Sequence, residues 1–229
     1  SAFCARPDEL QPIPDAIPDQ SAILFANAET AINLVQDGAP IVGERVLVLG
    51  LGIVCLLVSA ACARVLGVEV TAIDPLQNRR DAAAALGVHT VAAPHGIDAS
   101  DFDLVYELTG KPEVLTAAIA AAGYAGRVVV GSWYGDKSCQ VTLDTHFHRD
   151  RIRIISSQVS TIAPELSARW DKPRRYRVAW KLLEDLPLDA IDTRLFSDSD
   201  AADAFKLVDL HPEEVIQVGI TYNDALEQS

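Results

Sequence analysis

The sequence predicts an α/β protein: a doubly wound parallel sheet followed by a small piece of a second domain. Three observations carry this. Apolar runs of strand length alternate with runs of helical spacing through most of the 229 residues. A glycine turn joins the first of these strands to a helix at Gly50. Apolar residues make up 49% of the chain and aromatics only 6%, the balance expected of an alanine-, valine- and leucine-rich buried sheet.

Residues 1–20 carry Pro7, Pro12, Pro14 and Pro18 and read as an extended, surface-bound lead-in. Residues 21–36 have the apolar spacing of one helix. Gly38, Pro40 and Gly43 then lead into the first strand, Arg45–Gly50. An apolar helix runs from the turn to about Gly67, and a second strand ends at Asp74. Pro75 and Asn78 open a helix that stops at Gly87. Val88–Ala92 is a third strand and Asp103–Leu108 a fourth. Pro112 starts a helix through Ala122. Arg127–Gly131 is a fifth strand and Arg151–Ser156 a sixth. Six strands separated by helices make the doubly wound sheet over residues 21–160. Beyond it, in residues 161–229, Asp171–Asp185 reads as a helix and Ala190–Phe196 as a strand. Asp198 to Asp200 offer N-caps to a helix over Ala201–Val208, and Val215–Tyr222 is a final strand. These last two strands fall outside the six and belong to another sheet.

The stretch from Arg45 to Asp74 has the form of the first βαβ unit of a Rossmann dinucleotide-binding fold. Gly50 allows the tight turn out of the strand. Gly52, lacking a side chain, lets backbone amides approach a pyrophosphate, at which the helix directs its free N–H groups and positive dipole end. Asp74, about twenty residues on, is placed to accept hydrogen bonds from the adenosine ribose. A carboxylate there repels the 2′-phosphate of NADP, so NAD(H) is the expected cofactor. Cys55 stands where the third glycine of the motif serves helix–strand packing, so a slightly wider contact is expected there. The plainer reading of Asp74 is a turn or helix cap.

Composition excludes several classes. A formal net charge of −13 argues against nucleic acid and anionic membrane as partners. The uncharged run Val46–Ala63 reaches eighteen residues, but Gly50 and Gly52 break it after a strand, leaving too short a helix to cross a bilayer. The N-terminal residues are polar and proline-rich, unlike a secretory signal. The cysteines at 4, 55, 62 and 139 have no CxxC spacing and read as free thiols of a cytoplasmic protein. Cys55 and Cys62, seven apart, share a buried helix face. His89, His95 and His211 read as surface residues. His146 and His148 have a spacing that suits zinc on a strand, with no third ligand nearby. Nine of the nineteen Lys and Arg lie between Arg149 and Lys181. They read as an exposed helix face and edge strand, or as a patch that meets an acidic partner surface or an anionic substrate.

The chain resembles the medium-chain dehydrogenase/reductase superfamily, the zinc-type alcohol and threonine dehydrogenase-like proteins. The likeness runs from about Ile13 to Tyr222. It rests on Val46–Leu57, on Asp74 with Arg79, on Leu86-Gly87-Val88 and on Asp103–Glu113. It continues through Gly126–Trp133, Ala201–Lys206 and Val215–Ile220, and His148–Thr161 is similar to a bacterial threonine dehydrogenase-like subgroup. Most of the family's N-terminal GroES-like catalytic domain has no counterpart here, nor do its zinc ligands, a cysteine and a His-Glu pair. Zinc is therefore not supported by the residues present. The second domain is a remnant of the catalytic one, from about Ile191. The sequence fits either a piece of a longer dehydrogenase or a naturally short relative.

By this resemblance Gly50, Leu51, Gly52, Ile53 and Val54 line the pyrophosphate, Asp74 holds the adenosine ribose and Arg79 lies beside the adenine. Thr109 and Gly110 end the fourth strand at the edge where the ligand sits. Gly131, Ser132 and Trp133 end the fifth, near the nicotinamide; packing at a strand end is the alternative for Trp133 and Tyr134. The resemblance also implies a homodimer through Arg151–Ser156, whose isoleucines favour a strand. The function expected is NAD(H)-dependent hydride transfer on a small alcohol or carbonyl substrate. The alternative is a dinucleotide-binding module that turns nothing over. Catalytic residues and substrate identity are not assigned.

Overall fold

The computed structural model describes residues 4–6, 10–64, 68–91 and 101–222. Its frame is a six-stranded parallel sheet of order β3-β2-β1-β4-β5-β6. The strands are β1 (Arg45–Leu49), β2 (Glu69–Ile73), β3 (His89–Val91), β4 (Phe102–Glu107), β5 (Ala122–Val130) and β6 (Arg153–Ser156). The order reverses between β1 and β4. That opens a crevice at their carboxyl ends, where ligands of doubly wound sheets sit.

Alternation along β1 divides the core. Val46 and Val48 face one side, with α2 (Phe25–Gly38), α3 (Ile53–Ala63), α4 (Gln77–Ala85) and α7 (Lys172–Asp185). Leu47 and Leu49 face the other, with α5 (Leu115–Ala121). With both faces covered, the central strands read as unbroken apolar runs. α7 belongs to this core through Ala179, Trp180, Leu182 and Leu183. Phe25 of α2 stacks on Trp180 at 4.2 Å between ring centroids. A second, two-stranded parallel sheet pairs β7 (Thr193–Ser197) with β8 (Gln217–Thr221), backed by α8 (Ala201–Leu210).

The structure redraws several expected elements. The single helix over 21–36 is two, α1 (Asp19–Ala22) and α2, because the chain bends at Ile23–Leu24 to drive Leu24 into the core. β5 begins five residues early, at Ala122. It kinks at Ala125, which has a φ of +58°, before it settles into register with β4 at Arg127. β6 begins at Arg153, since Arg151 turns the chain with a φ of +55°. Asp198 to Asp200 form a short 3-10 turn, and Asp200 accepts from the Ser197 hydroxyl instead of capping α8. The predicted residues Ala92, His95 and Gly67 lie outside the described residues.

Cys55 and Cys62 are buried on α3, and burial pushes each thiol up to about 12. An unfolded chain releases both protons above about pH 8.5. The stability these thiols contribute is therefore fully present below that pH and is lost as pH climbs toward 12. We expect stability in urea to fall by about 1.4 kcal/mol per pH unit per thiol across this window. The Cys55→Ala, Cys62→Ala double variant should lack most of this dependence; an identical pH profile would remove the thiols as its cause.

Candidate dinucleotide site

β1 leads into Gly50, whose φ of +95° lies in the left-handed region. A Cβ at Gly50 would stand 3.3 Å from the carbonyl oxygen of Leu108, so glycine meets both a backbone and a space requirement. Its N–H donates to the carbonyl of Ile73 at 2.9 Å, and the Leu51 N–H donates to Asp74 Oδ2 at 2.8 Å. Gly52 is the N-cap of α3, and no side chain caps that helix. Nothing lies within 4 Å of where a Gly52 Cβ would be. Ile53 and Val54 open the helix, so its uncapped end faces open space, as a pyrophosphate would require. The Cys55 thiol donates to the Leu108 carbonyl at 3.5 Å and bridges α3 to the end of β4, where a third glycine would bring the two closer.

Asp74 follows β2 directly and is 3% exposed. Besides Leu51, it accepts from the Leu76 N–H at Oδ1, 2.8 Å away. Asp74 thus braces the glycine turn and the entry to α4. A carboxylate has about four acceptor sites, which leaves two for ribose hydroxyls. Arg79 Nη1 lies 3.6 Å from Asp74 Oδ2, and Nη2 donates to the Pro212 carbonyl at 2.7 Å. Its Nε is buried and has no hydrogen-bond partner. Asn78 donates to the Glu213 carbonyl at 3.0 Å. These contacts lay the loop before β8 against the start of α4, a link with no signal in the sequence.

Across the crevice, Gly110 has a φ of +71° and its N–H donates to Ser132 Oγ at 2.9 Å. The Gly131 N–H donates to the Glu107 carbonyl at 3.1 Å. A Cβ on Gly131 would meet Leu34 and Leu108 side chains at 2.5 Å, so this glycine also serves close packing. Trp133 is 85% exposed. The carboxylate of Glu107, fully buried at the end of β4, accepts from the Thr109 N–H at 2.9 Å, the Thr109 hydroxyl at 2.5 Å and the Tyr134 hydroxyl. Glu107 was no candidate in the sequence; an acid closing the apolar run Leu104–Tyr106 was the available signal. A separate hollow of about 270 Å³, lined by Gln20, Leu24, Asp189 and Asp192 among others, lies beside the small sheet and away from the glycine turn.

The basic segment divides. Arg175 is fully buried and Lys172 pairs with Glu29 at 2.7 Å, so these two are structural, while Arg149, Arg151 and Arg153 are exposed. His146 and His148 sit on a helical turn, α6 (Thr145–Arg149), and not on a strand. His146 Nδ1 is engaged by Asp150 at 2.5 Å. Among the described residues, the grouping of three metal-type side chains within reach of one ion is His211, Glu213 and Glu214, all exposed. None belongs to the crevice set, so the residues present do not fit a zinc centre of the catalytic kind. None of the described helices is long and apolar enough to cross a membrane.

Strand order and glycine turn together define a Rossmann-type α/β domain. The family model for zinc-binding dehydrogenases matches residues 55–172, and the chain belongs to that family, within the medium-chain dehydrogenase/reductase superfamily. It is 24% identical over 227 residues to D-guloside 3-dehydrogenase of Escherichia coli K12, and equally to that of Shigella flexneri. The match covers 93% of this chain but 65% of the relative, so the chain spans about two thirds of their length. Among solved structures, an Escherichia coli CFT073 alcohol dehydrogenase complexed with NADH superposes with a TM-score of 0.75 at 21% identity, covering 93% of this chain and 63% of that one. Bacillus subtilis 2R,3R-butanediol dehydrogenase gives 0.73 at 17%, covering 91% and 59%. L-Idonate 5-dehydrogenase of Escherichia coli gives 0.75 at 14%, covering 92% and 59%.

Proposed function

We propose that the chain is the cofactor-holding part of an NAD(H)-dependent, cytoplasmic dehydrogenase acting on a secondary alcohol of a small polyhydroxylated substrate. One observation carries the reading: the carboxylate of Asp74 is bonded to the Leu51 amide, so the acid and the glycine turn form one rigid unit below the open space at Gly52. Gly50, Leu51, Gly52, Ile53 and Val54 hold the pyrophosphate and Asp74 the adenosine ribose. Arg79 borders the adenine, and Thr109, Gly110, Gly131, Ser132 and Trp133 border the nicotinamide. Bound there, the nicotinamide supplies the carbon that takes or gives hydride. This chain's residues bind and orient; the proton-handling group belongs to the third of the relatives' length that the chain does not span. The substrate class is supported by the relatives' names: a guloside, a butanediol and an idonate.

The test is calorimetric titration of the 229-residue chain with NADH and NADPH. Micromolar NADH binding with weaker NADPH binding is expected, since Asp74 opposes a 2′-phosphate. Absence of binding by either would leave a non-catalytic remnant as the better reading.

We further propose that two copies join through β6. The strand is an open sheet edge, and Ile154 on it is 40% exposed. An antiparallel pairing of two such edges about a twofold axis would set Arg153 against Ser156 of the second copy, keeping like charges apart. Sedimentation should show a dimer that Ile154→Lys converts to monomer; a monomeric wild-type chain would rule the pairing out.

A further inference from the structure

Glu107 is an acid without a cationic partner among the described residues. It is 0% exposed and ends the central strand β4. Burying a carboxylate in this way is costly unless hydrogen bonds replace its water. Here donors surround it: Thr109 N–H and Thr109 Oγ1 at Oε1, and the Tyr134 hydroxyl at Oε2. Both oxygens act as acceptors. An apolar residue of the same size would leave the Thr109 amide and the Tyr134 hydroxyl unmet.

These bonds tie two loops together. Thr109 belongs to the loop after β4, and Tyr134 to the loop after β5. The Gly131 N–H and Ser132 hydroxyl donate to the Glu107 carbonyl, at 3.1 and 3.4 Å. The Ser132 hydroxyl in turn accepts from Gly110. Residues 131–134 are thus anchored at both ends, and Trp133 projects between the anchors. Tyr134 is no base in this arrangement: burial, reinforced by the bond to Glu107, pushes its hydroxyl well above the usual range, so it stays a neutral donor.

We infer that Glu107 is a positioning residue for the nicotinamide end of the crevice: it holds Thr109–Gly110 and 131–134 in one shape, and its negative charge favours the oxidised, cationic ring over the reduced, neutral one. This rests on the cofactor reading above. A nearby anion stabilises a cation by Coulomb attraction strengthened in a water-poor site, whereas a neutral ring gains little.

The experiment is calorimetric titration of the chain with NAD+ and with NADH, for wild type, Glu107→Gln and Tyr134→Phe, each checked for an unchanged fold by circular dichroism. Glu107→Gln keeps the shape and removes the charge; NAD+ affinity should fall about tenfold more than NADH affinity. Tyr134→Phe removes one anchor and keeps the charge; both affinities should fall together by about three- to tenfold. An unchanged NAD+ to NADH ratio in folded Glu107→Gln overturns the charge role. Wild-type affinities in Tyr134→Phe overturn the anchoring role, and that variant alone decides the latter should Glu107→Gln not fold. A wild type that binds neither form brings down the cofactor reading itself, and this inference with it.

Discussion

Replacing Arg175 by alanine should destabilise the protein by about 3–5 kcal/mol, the largest effect we expect of any single substitution. Arg175 is buried completely on α7, and all its donors are used. Nε and Nη2 donate to Glu29 Oε1 at 3.1 and 2.8 Å, and Nη1 donates to Asn33 Oδ1 at 2.5 Å. The remaining bonds go to the Thr161 carbonyl at 3.0 Å and the Val159 carbonyl. One guanidinium thus staples α2, α7 and the loop after β6. Alanine leaves Glu29 with Lys172 alone, leaves two loop carbonyls without this partner, and opens a cavity. Lysine restores the charge but not the planar fork, so Arg175→Lys should recover only part of the loss. Urea unfolding of the three proteins measures this; a loss below about 1 kcal/mol for alanine would show that the staple is not what holds the loop.

The second large effect is on binding. Asp74→Ala should weaken NADH binding about 100-fold, because two bonds from ribose hydroxyls to a charged acceptor vanish and the turn that presents the pyrophosphate amides loses its brace. The Leu51 and Leu76 amides, both 2.8 Å from the carboxylate, lose their acceptor. Stability should drop as well, by about 2–3 kcal/mol. Asp74→Asn separates the two contributions. Its single side-chain oxygen can satisfy one amide only, so NADH binding falls by less, while the repulsion of a 2′-phosphate disappears and NADPH gains relative to NADH. Titration of each variant with both cofactors is the measurement. NADH affinity surviving in Asp74→Ala would place the ribose somewhere else.

How far these residues were legible beforehand depends on how far their reasons lie along the chain. Gly50, Gly52 and Asp74 could be read because a turn, a helix N-terminus and a strand end within one βαβ unit impose them locally. Trp133 and Ser132 could be placed only as a strand end. Glu107 passed unnoticed, since its meaning comes from Tyr134, twenty-seven residues away. Arg175 was counted among an exposed basic stretch, because its partner Glu29 lies 146 residues earlier. Charge in a sequence has no depth; packing assigns it. His146 and His148 stood out for a spacing that suits zinc on a strand; Asp144, accepting from the His146 and Phe147 amides, instead caps a helical turn there.

Element boundaries moved for similar reasons. The helical spacing over 21–36 was real, but burying Leu24 required a bend that no spacing announces. Arg151 and Ala125 turn with positive φ though neither is glycine, because the ends of β5 and β6 must meet in register. The sequence by itself determined the alternation of strand and helix, the doubly wound parallel sheet and the glycine turn that opens α3. These follow from apolar periodicity and from the few residues that allow a turn. The tertiary structure alone decided which charges are buried, which hydroxyl meets which carboxylate, and where the loop before β8 rests. Those outcomes depend on contacts between residues far apart in the chain, and burial raises the cost of leaving any polar group without its partner.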